Sequence, residues 1–116
     1  MSESPDRDAG VHVAKPTKNL LGGPETEALR REIEPILERD VPRVVIDLGR
    51  VSHLNSPGLG VLVGLHARCA RRGGWMRVAR IGSRVRDLFL ITKLTMVFDT
   101  YDTVEDAIAG VHGDRH

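Results

Sequence analysis

Residues 43–48, Arg-Val-Val-Ile-Asp-Leu, put apolar and β-branched side chains on consecutive positions. A strand with one wet face alternates apolar and polar residues. This one does not, so both of its faces must be covered, as in a parallel sheet flanked by helices. Helical patterns lie on either side of it. Pro24 opens one at a first helical position, where its missing N–H costs nothing. Leu29, Ile33, Ile36 and Leu37 then recur on one face. That helix should bend at Pro35 and end near Arg39-Asp40. Downstream, Ser56-Pro57 reads as an N-cap with proline at the first helical position. Leu59, Leu62, Val63, His66 and Ala70 form the expected core stripe of this second helix, and Gly73-Gly74 stops it.

The same alternation continues to the end of the chain. Residues 77–81 read as a strand. Ser83 begins a helix with Val85, Leu88, Phe89 and Thr92 on one face. Residues 96–98 read as a short strand, and Asp102 with Glu105 resembles a capping box for a last helix to about Gly110. Upstream, residues 11–14 and 18–21 are short strand candidates that would form an antiparallel edge. The order is β-β-α-β-α-β-α-β-α, an α/β domain with a mostly parallel sheet of about four to five strands. Residues 1–9 read as a flexible tail, 10–110 as the domain and 111–116 as a second flexible tail.

Composition narrows the class further. The 116 residues are 41% hydrophobic and 28% charged, as in an ordinary globular domain. No apolar run reaches the ~20 residues of a membrane helix, and the N-terminus has no signal-peptide pattern. A cytoplasmic protein with no membrane partner is expected. A single cysteine, Cys69, rules out an intrachain disulfide. The few aromatics, Trp75, Phe89, Phe98 and Tyr101, argue against a single-strand nucleic-acid platform, and no direct nucleic-acid partner is expected.

Charge is distributed unevenly. The net charge is only +1, yet residues 48–86 hold eight arginines and no acid. Two readings are open: an anionic partner, or neutralisation by acids elsewhere in the fold.

Ser56 is the foremost candidate for chemistry. It follows a buried strand and begins a helix, and functional residues of open parallel sheets gather at the carboxyl ends of strands. A phosphate there would meet a favourable helix dipole. The plain alternative is a capping serine, worth roughly 1 kcal/mol. A nucleophilic serine is disfavoured, because Leu54 stands where the Gly-x-Ser-x-Gly elbow needs its first glycine. His53 reads as a loop residue and His66 as a packed one. The spacing of Gly58, Gly60 and Gly64 misses the dinucleotide fingerprint. The five histidines lack metal-ligand spacing, so neither a metal nor a cofactor is expected. Cys69, beside Arg68 and Arg72, suits either a lowered thiol pKa or a small packed thiol. Val61 and Leu65 extend the apolar arc of the second helix, next to Arg68 and Arg72. That arc suits either a neighbouring helix or a docking surface.

Taken together, Val44-Val45-Ile46-Asp47-Leu48, Val51 and Leu54-Asn55-Ser56-Pro57-Gly58-Leu59-Gly60-Val61-Leu62 resemble the signature of STAS domains, which include bacterial anti-sigma factor antagonists. Val85-Arg86-Asp87-Leu88-Phe89 is similar to the family's third helix, and Thr92-Lys93-Leu94 to its Thr-Gly-Leu turn. The resemblance covers residues 43–109 well and residues 11–39 loosely.

It implies a non-enzymatic binding module whose partner is an anti-sigma factor, a serine kinase of the histidine-kinase-like ATPase type. Ser56 matches the serine phosphorylated in the family motif Asp-Ser-Ser-Gly, and a serine phosphatase would reset the switch. The implied partner-facing patch is Asn55, Ser56, Gly58, Leu59, Val61 and Leu65, with Arg84 and Arg86 at its rim, on a monomer or weak homodimer. Two residues depart from the motif: Asn55 replaces its aspartate and Pro57 its second serine. Alternatives left open are an unphosphorylated scaffold module of a stress-signalling complex and a weak nucleotide- or anion-binding domain.

Overall fold

The computed structural model describes residues 10–112. Its centre is the strand expected to be covered on both faces. This strand, β2 (Arg43–Asp47), is buried from Val44 onward, and Leu48 after it is buried too. On one side it pairs in parallel with β1 (Val11–Ala14), Val11 opposite Arg43 and Ala14 opposite Ile46. On the other it pairs in parallel with β3 (Trp75–Ala79), Arg43 opposite Trp75 and Asp47 opposite Ala79. A two-residue strand, β4 (Thr100–Tyr101), closes the sheet beside Val78 and Ala79, giving the order β1-β2-β3-β4.

Parallel neighbours need crossovers, and three helices supply them: α1 (Pro24–Ile33), α2 (Ser56–Arg71) and α3 (Ser83–Ile91). Alternation along the strands sorts the core into two layers. Val44, Ile46, Met76 and Val78 meet Leu29 and Ile33 of α1, Leu62, Leu65 and Cys69 of α2, and Val85 and Phe89 of α3. Val45 and Ala79 point the other way, onto Tyr101 and Ala107 of the last helix, α4 (Val104–Ala109). Three helices thus cover one face and one short helix the other.

Several expected elements take a different form. Helix α1 does not run to Arg39; it gives way to a 3-10 turn, Glu34–Glu38. Pro35 has no N–H to donate four residues back, so the chain tightens there. Ile36 and Leu37 still reach the core. Residues 18–21 form no strand and no antiparallel edge. Leu20 makes a single parallel bridge to Leu54, and Gly22, at φ +86°, turns the chain away. Residues 96–98 are not a strand either. A 3-10 turn, Leu94–Met96, follows Lys93, which holds a left-handed φ of +63° at the position where the resemblance led one to expect glycine. Phe98 is buried after that turn, 5.6 Å from the Phe89 ring and 5.2 Å from the His66 ring. The expected tail at 1–9, and that at 111–116 beyond its first two residues, lie outside the described residues. His112 stacks its ring on Tyr101 at 4.4 Å.

Cys69 is fully buried, and burial pushes its thiol up in spite of Arg68 nearby, so it is a packed thiol and not an activated one. Arg68 forms a two-pronged contact with Glu34, at 2.9 and 3.2 Å, which ties α2 to the 3-10 turn after α1. The hydrogen bond from Arg68 holds the Glu34 carboxyl below the usual carboxylate range. A lowered folded-state pKa contributes stability above the unfolded value and loses it as pH falls through the folded one. Arg68→Gln should therefore lower Tm slightly at neutral pH. The difference from wild type should vanish in acid, where Glu34 is protonated in both, as thermal melts over a pH series would record.

Candidate functional site

The carboxyl ends of β2 and β3 are joined by a charged contact. Asp47 is buried; its Oδ1 accepts the Gly49 N–H at 2.9 Å and its Oδ2 accepts Arg80 Nη1 at 3.2 Å. Its carboxylate is thus held by Gly49 and Arg80 and does not orient a histidine. The chain then runs through Gly49–Leu54 to α2, and the segment at 19–21 clasps this loop. Asn19 Oδ1 accepts the backbone N–H groups of Ser52 (2.9 Å) and His53 (3.1 Å). Leu20 donates its N–H to the His53 carbonyl and accepts that of Asn55.

Asn55 completes the junction. Its Oδ1 accepts the Gly58 N–H at 3.0 Å, so Asn55, not Ser56, is the N-cap of α2. Its Nδ2 donates to the Leu21 carbonyl at 2.9 Å. The capping role read for Ser56 passes to its neighbour, and Ser56 becomes the first helical residue. It is exposed, and its hydroxyl makes no hydrogen bond with any described residue. Pro57 beside it has no N–H, and Asn55 occupies that of Gly58. A phosphate on Ser56 would therefore find few open donors in its own helix and would project its charge outward.

The other residues singled out in the sequence divide. Asn55 and Ser56 lie together on the exposed first turn of α2. Leu59 and Val61 are half-buried and lean on the core. Gly58 and Leu65, expected in the partner-facing patch, are buried. Leu65 joins Leu62 and Cys69 inside, while Val63, expected inside, is 36% exposed. The inward stripe of α2 is Gly58, Leu62, Leu65 and Cys69. Gly58 is buried because the Leu20 carbonyl passes over it; a Cβ there would stand 2.2 Å from that oxygen.

The acid-free arginine segment divides as well. Arg68 pairs with Glu34, and Arg80 with Asp47. Arg72 donates to the Arg39 carbonyl. Arg77 donates to the Ala107 carbonyl at the end of α4 and lies 3.6 Å over the Trp75 ring. Arg50, Arg71 and Arg86 have no side-chain hydrogen bond or ion pair with any described residue. Arg84 reaches the His53 ring, whose Nδ1 lies 3.1 Å from the Ser52 hydroxyl. Asn19 and His53 were not singled out for these contacts. Asn19 was read only as part of the 18–21 strand candidate. No helix among the described residues is long and apolar enough to cross a membrane.

Comparison with known proteins adds context. The STAS domain profile matches residues 22–107. A provisionally named anti-sigma factor antagonist of Bordetella bronchiseptica, BtrV, is 25% identical over 92 residues, covering 79% of each chain. The crystal structure of an anti-sigma factor antagonist from Mycobacterium paratuberculosis is 29% identical, with a TM-score of 0.71 over 88% of this chain and 86% of that one. A provisionally named antagonist from Thermotoga maritima shares the fold at a TM-score of 0.79 and 21% identity, over 88% and 87% of the two chains. The STAS domain of a Vibrio cholerae SulP transporter also shares it, at a TM-score of 0.67 and 16% identity over 87% and 80%.

Gly58 and Gly60 offer a paired test of this geometry. Gly58→Ala should cost about 1–3 kcal/mol in denaturant unfolding, since the helix must move off Leu20. Gly60→Ala, whose Cβ would meet nothing within 4 Å, should stabilise the protein by about 0.5–1 kcal/mol.

Proposed function

We propose that this chain, which belongs to the STAS domain family, is an anti-sigma factor antagonist switched by phosphorylation of Ser56. The partner is an anti-sigma factor that is also a serine kinase of the histidine-kinase-like ATPase type. Unmodified, the exposed turn at Asn55 and Ser56 binds that partner and frees the sigma factor for transcription. Phosphorylation adds about −1.5 to −2 charges to that turn and ends the contact. A serine phosphatase restores the binding form. The chain is bound and modified in the cytoplasm and carries out no catalysis of its own.

One observation carries this reading. Asn55 caps α2, so the Ser56 hydroxyl stands free and exposed at the carboxyl end of a buried strand. Similarity to proteins named as antagonists supports it. A second reading is favoured by a different observation. Pro57 removes a backbone donor and Asn55 removes the family's negative charge, so a kinase cleft that reads both would pass this loop by. The domain would then act as an unphosphorylated module in a stress-signalling complex.

Capture from lysate of the source organism, with wild type and Ser56→Asp as baits and mass spectrometry as the readout, separates the two. The switch predicts an ATPase-type anti-sigma factor on wild type and a loss of at least about tenfold, ~1.4 kcal/mol, on Ser56→Asp. Equal capture by both baits would leave Ser56 without a switching role and favour the module.

A further inference from the structure

The Asn55 side chain is used at both ends. Its Oδ1 accepts the Gly58 N–H at 3.0 Å, which starts α2, and its Nδ2 donates to the Leu21 carbonyl at 2.9 Å. The first contact is a cap, and aspartate caps a helix about as well as asparagine. The helix dipole even favours the carboxylate. The second contact tells the two side chains apart, because an ionised carboxylate has no hydrogen to donate.

The carbonyl that Asn55 meets has little freedom to turn aside. The Leu21 C=O and the Gly22 N–H belong to one planar peptide group. Its other end is held too: Thr26 Oγ1, on a buried residue of α1, accepts the Gly22 N–H at 2.9 Å. Gly22 also lies against Pro57, where a Cβ would stand 2.7 Å from the proline Cβ. The Leu21 oxygen is thus aimed at position 55 by contacts to both helices. An aspartate there would set a charged oxygen against a carbonyl oxygen at hydrogen-bond distance. The turn is otherwise acid-free: α2 has no acid in its first turn, and no Asp or Glu occurs from 48 to 86.

We propose that Asn55 is a positioning residue whose amide this chain cannot exchange for the aspartate of the motif Asp-Ser-Ser-Gly, and that it selects a partner which reads an acid-free turn. A phosphate on Ser56 is then the first negative charge placed on the turn. The inference deepens the antagonist reading and rests on it only for that partner.

The test compares the ¹⁵N-labelled full chain with Asn55→Asp and Asn55→Ser, each checked for folding by its melting curve. Serine keeps a cap, carries no charge and lacks the amide donor. Amide protection is read against wild type at neutral pH and in acid. At neutral pH, Asn55→Asp should lower protection of Leu20, Ser52 and His53 at least about tenfold, ~1.4 kcal/mol. Gly58, still capped, should keep its protection, and Asn55→Ser should lose less than Asn55→Asp. In acid the introduced carboxyl takes up a proton and regains a donor for Leu21. The gap to wild type should then close for Asn55→Asp and persist for Asn55→Ser. A plain cap has the opposite sign: its carboxylate would protect the turn at neutral pH and lose that effect in acid. In capture from lysate, Asn55→Ser should retain more anti-sigma factor than Asn55→Asp.

Wild-type protection of Asn55→Asp at neutral pH would overturn the proposal. So would a gap that widens in acid, an equal loss in both variants at every pH, or equal capture by both. The positioning role and the antagonist reading fail separately. Anti-sigma factor capture that ends on Ser56→Asp, alongside wild-type protection of Asn55→Asp, removes the positioning role and keeps the antagonist. The expected exchange pattern with no anti-sigma factor captured by wild type does the reverse.

Discussion

The working end of this domain depends on one close approach, the Leu20 carbonyl passing over Gly58 at the first turn of α2. Only a residue without a side chain tolerates it. The approach lets the 19–21 segment lie against the β2–α2 loop and bond to it through Asn19, Leu20 and Asn55. Each such bond contributes on the order of 1 kcal/mol, and together they fix where α2 begins. The position of Ser56 follows from that start. A helix beginning one residue later would make Ser56 the cap and bind its hydroxyl to the backbone.

Charge in this molecule works in two modes. Arg68, Arg72, Arg77 and Arg80 serve the fold: they bridge helices, finish helix ends and secure the carboxyl edge of the sheet. The Arg68 pair lies at the surface, where a single ion pair contributes little, whereas the Asp47 carboxylate is buried and depends on its Arg80 contact. Arg84 and Arg86 sit on the helix facing the Ser52–Leu54 loop and have no carboxylate partner among the described residues. Neutralisation by acids elsewhere in the fold therefore holds for Arg68 and Arg80.

Much of this was legible in the sequence, because the strongest pattern was also the most constrained element. The unbroken apolar run at 43–48 announces a strand covered on both faces, and Pro24 and Gly73-Gly74 mark helix boundaries by simple backbone chemistry. The inward face of α2 was not legible. Leu59, Val61, Leu62, Val63 and Leu65 spread apolar residues around much of the helix, so periodicity alone could not choose between Leu65 and Val63. Burial of Gly58 chose, since it rotates the helix to bring Leu62, Leu65 and Cys69 inward. The 18–21 segment misled for a related reason. Its two leucines suit a strand, but Asn19 spends its side chain on the neighbouring loop and Gly22 turns the chain before a ladder forms. Lys93 likewise holds a left-handed turn that no propensity argument would assign to lysine.

The loop presenting Ser56 is built before any partner arrives. Native-state hydrogen exchange on the free protein tests it most directly, because each clasp ends on an identifiable amide. The amides of Leu20, Ser52, His53 and Gly58 should be protected together, well above the open amide of Arg50. Exchange of all of them at the rate of an unstructured loop would contradict it, and would make the Ser56 turn something a partner folds on contact.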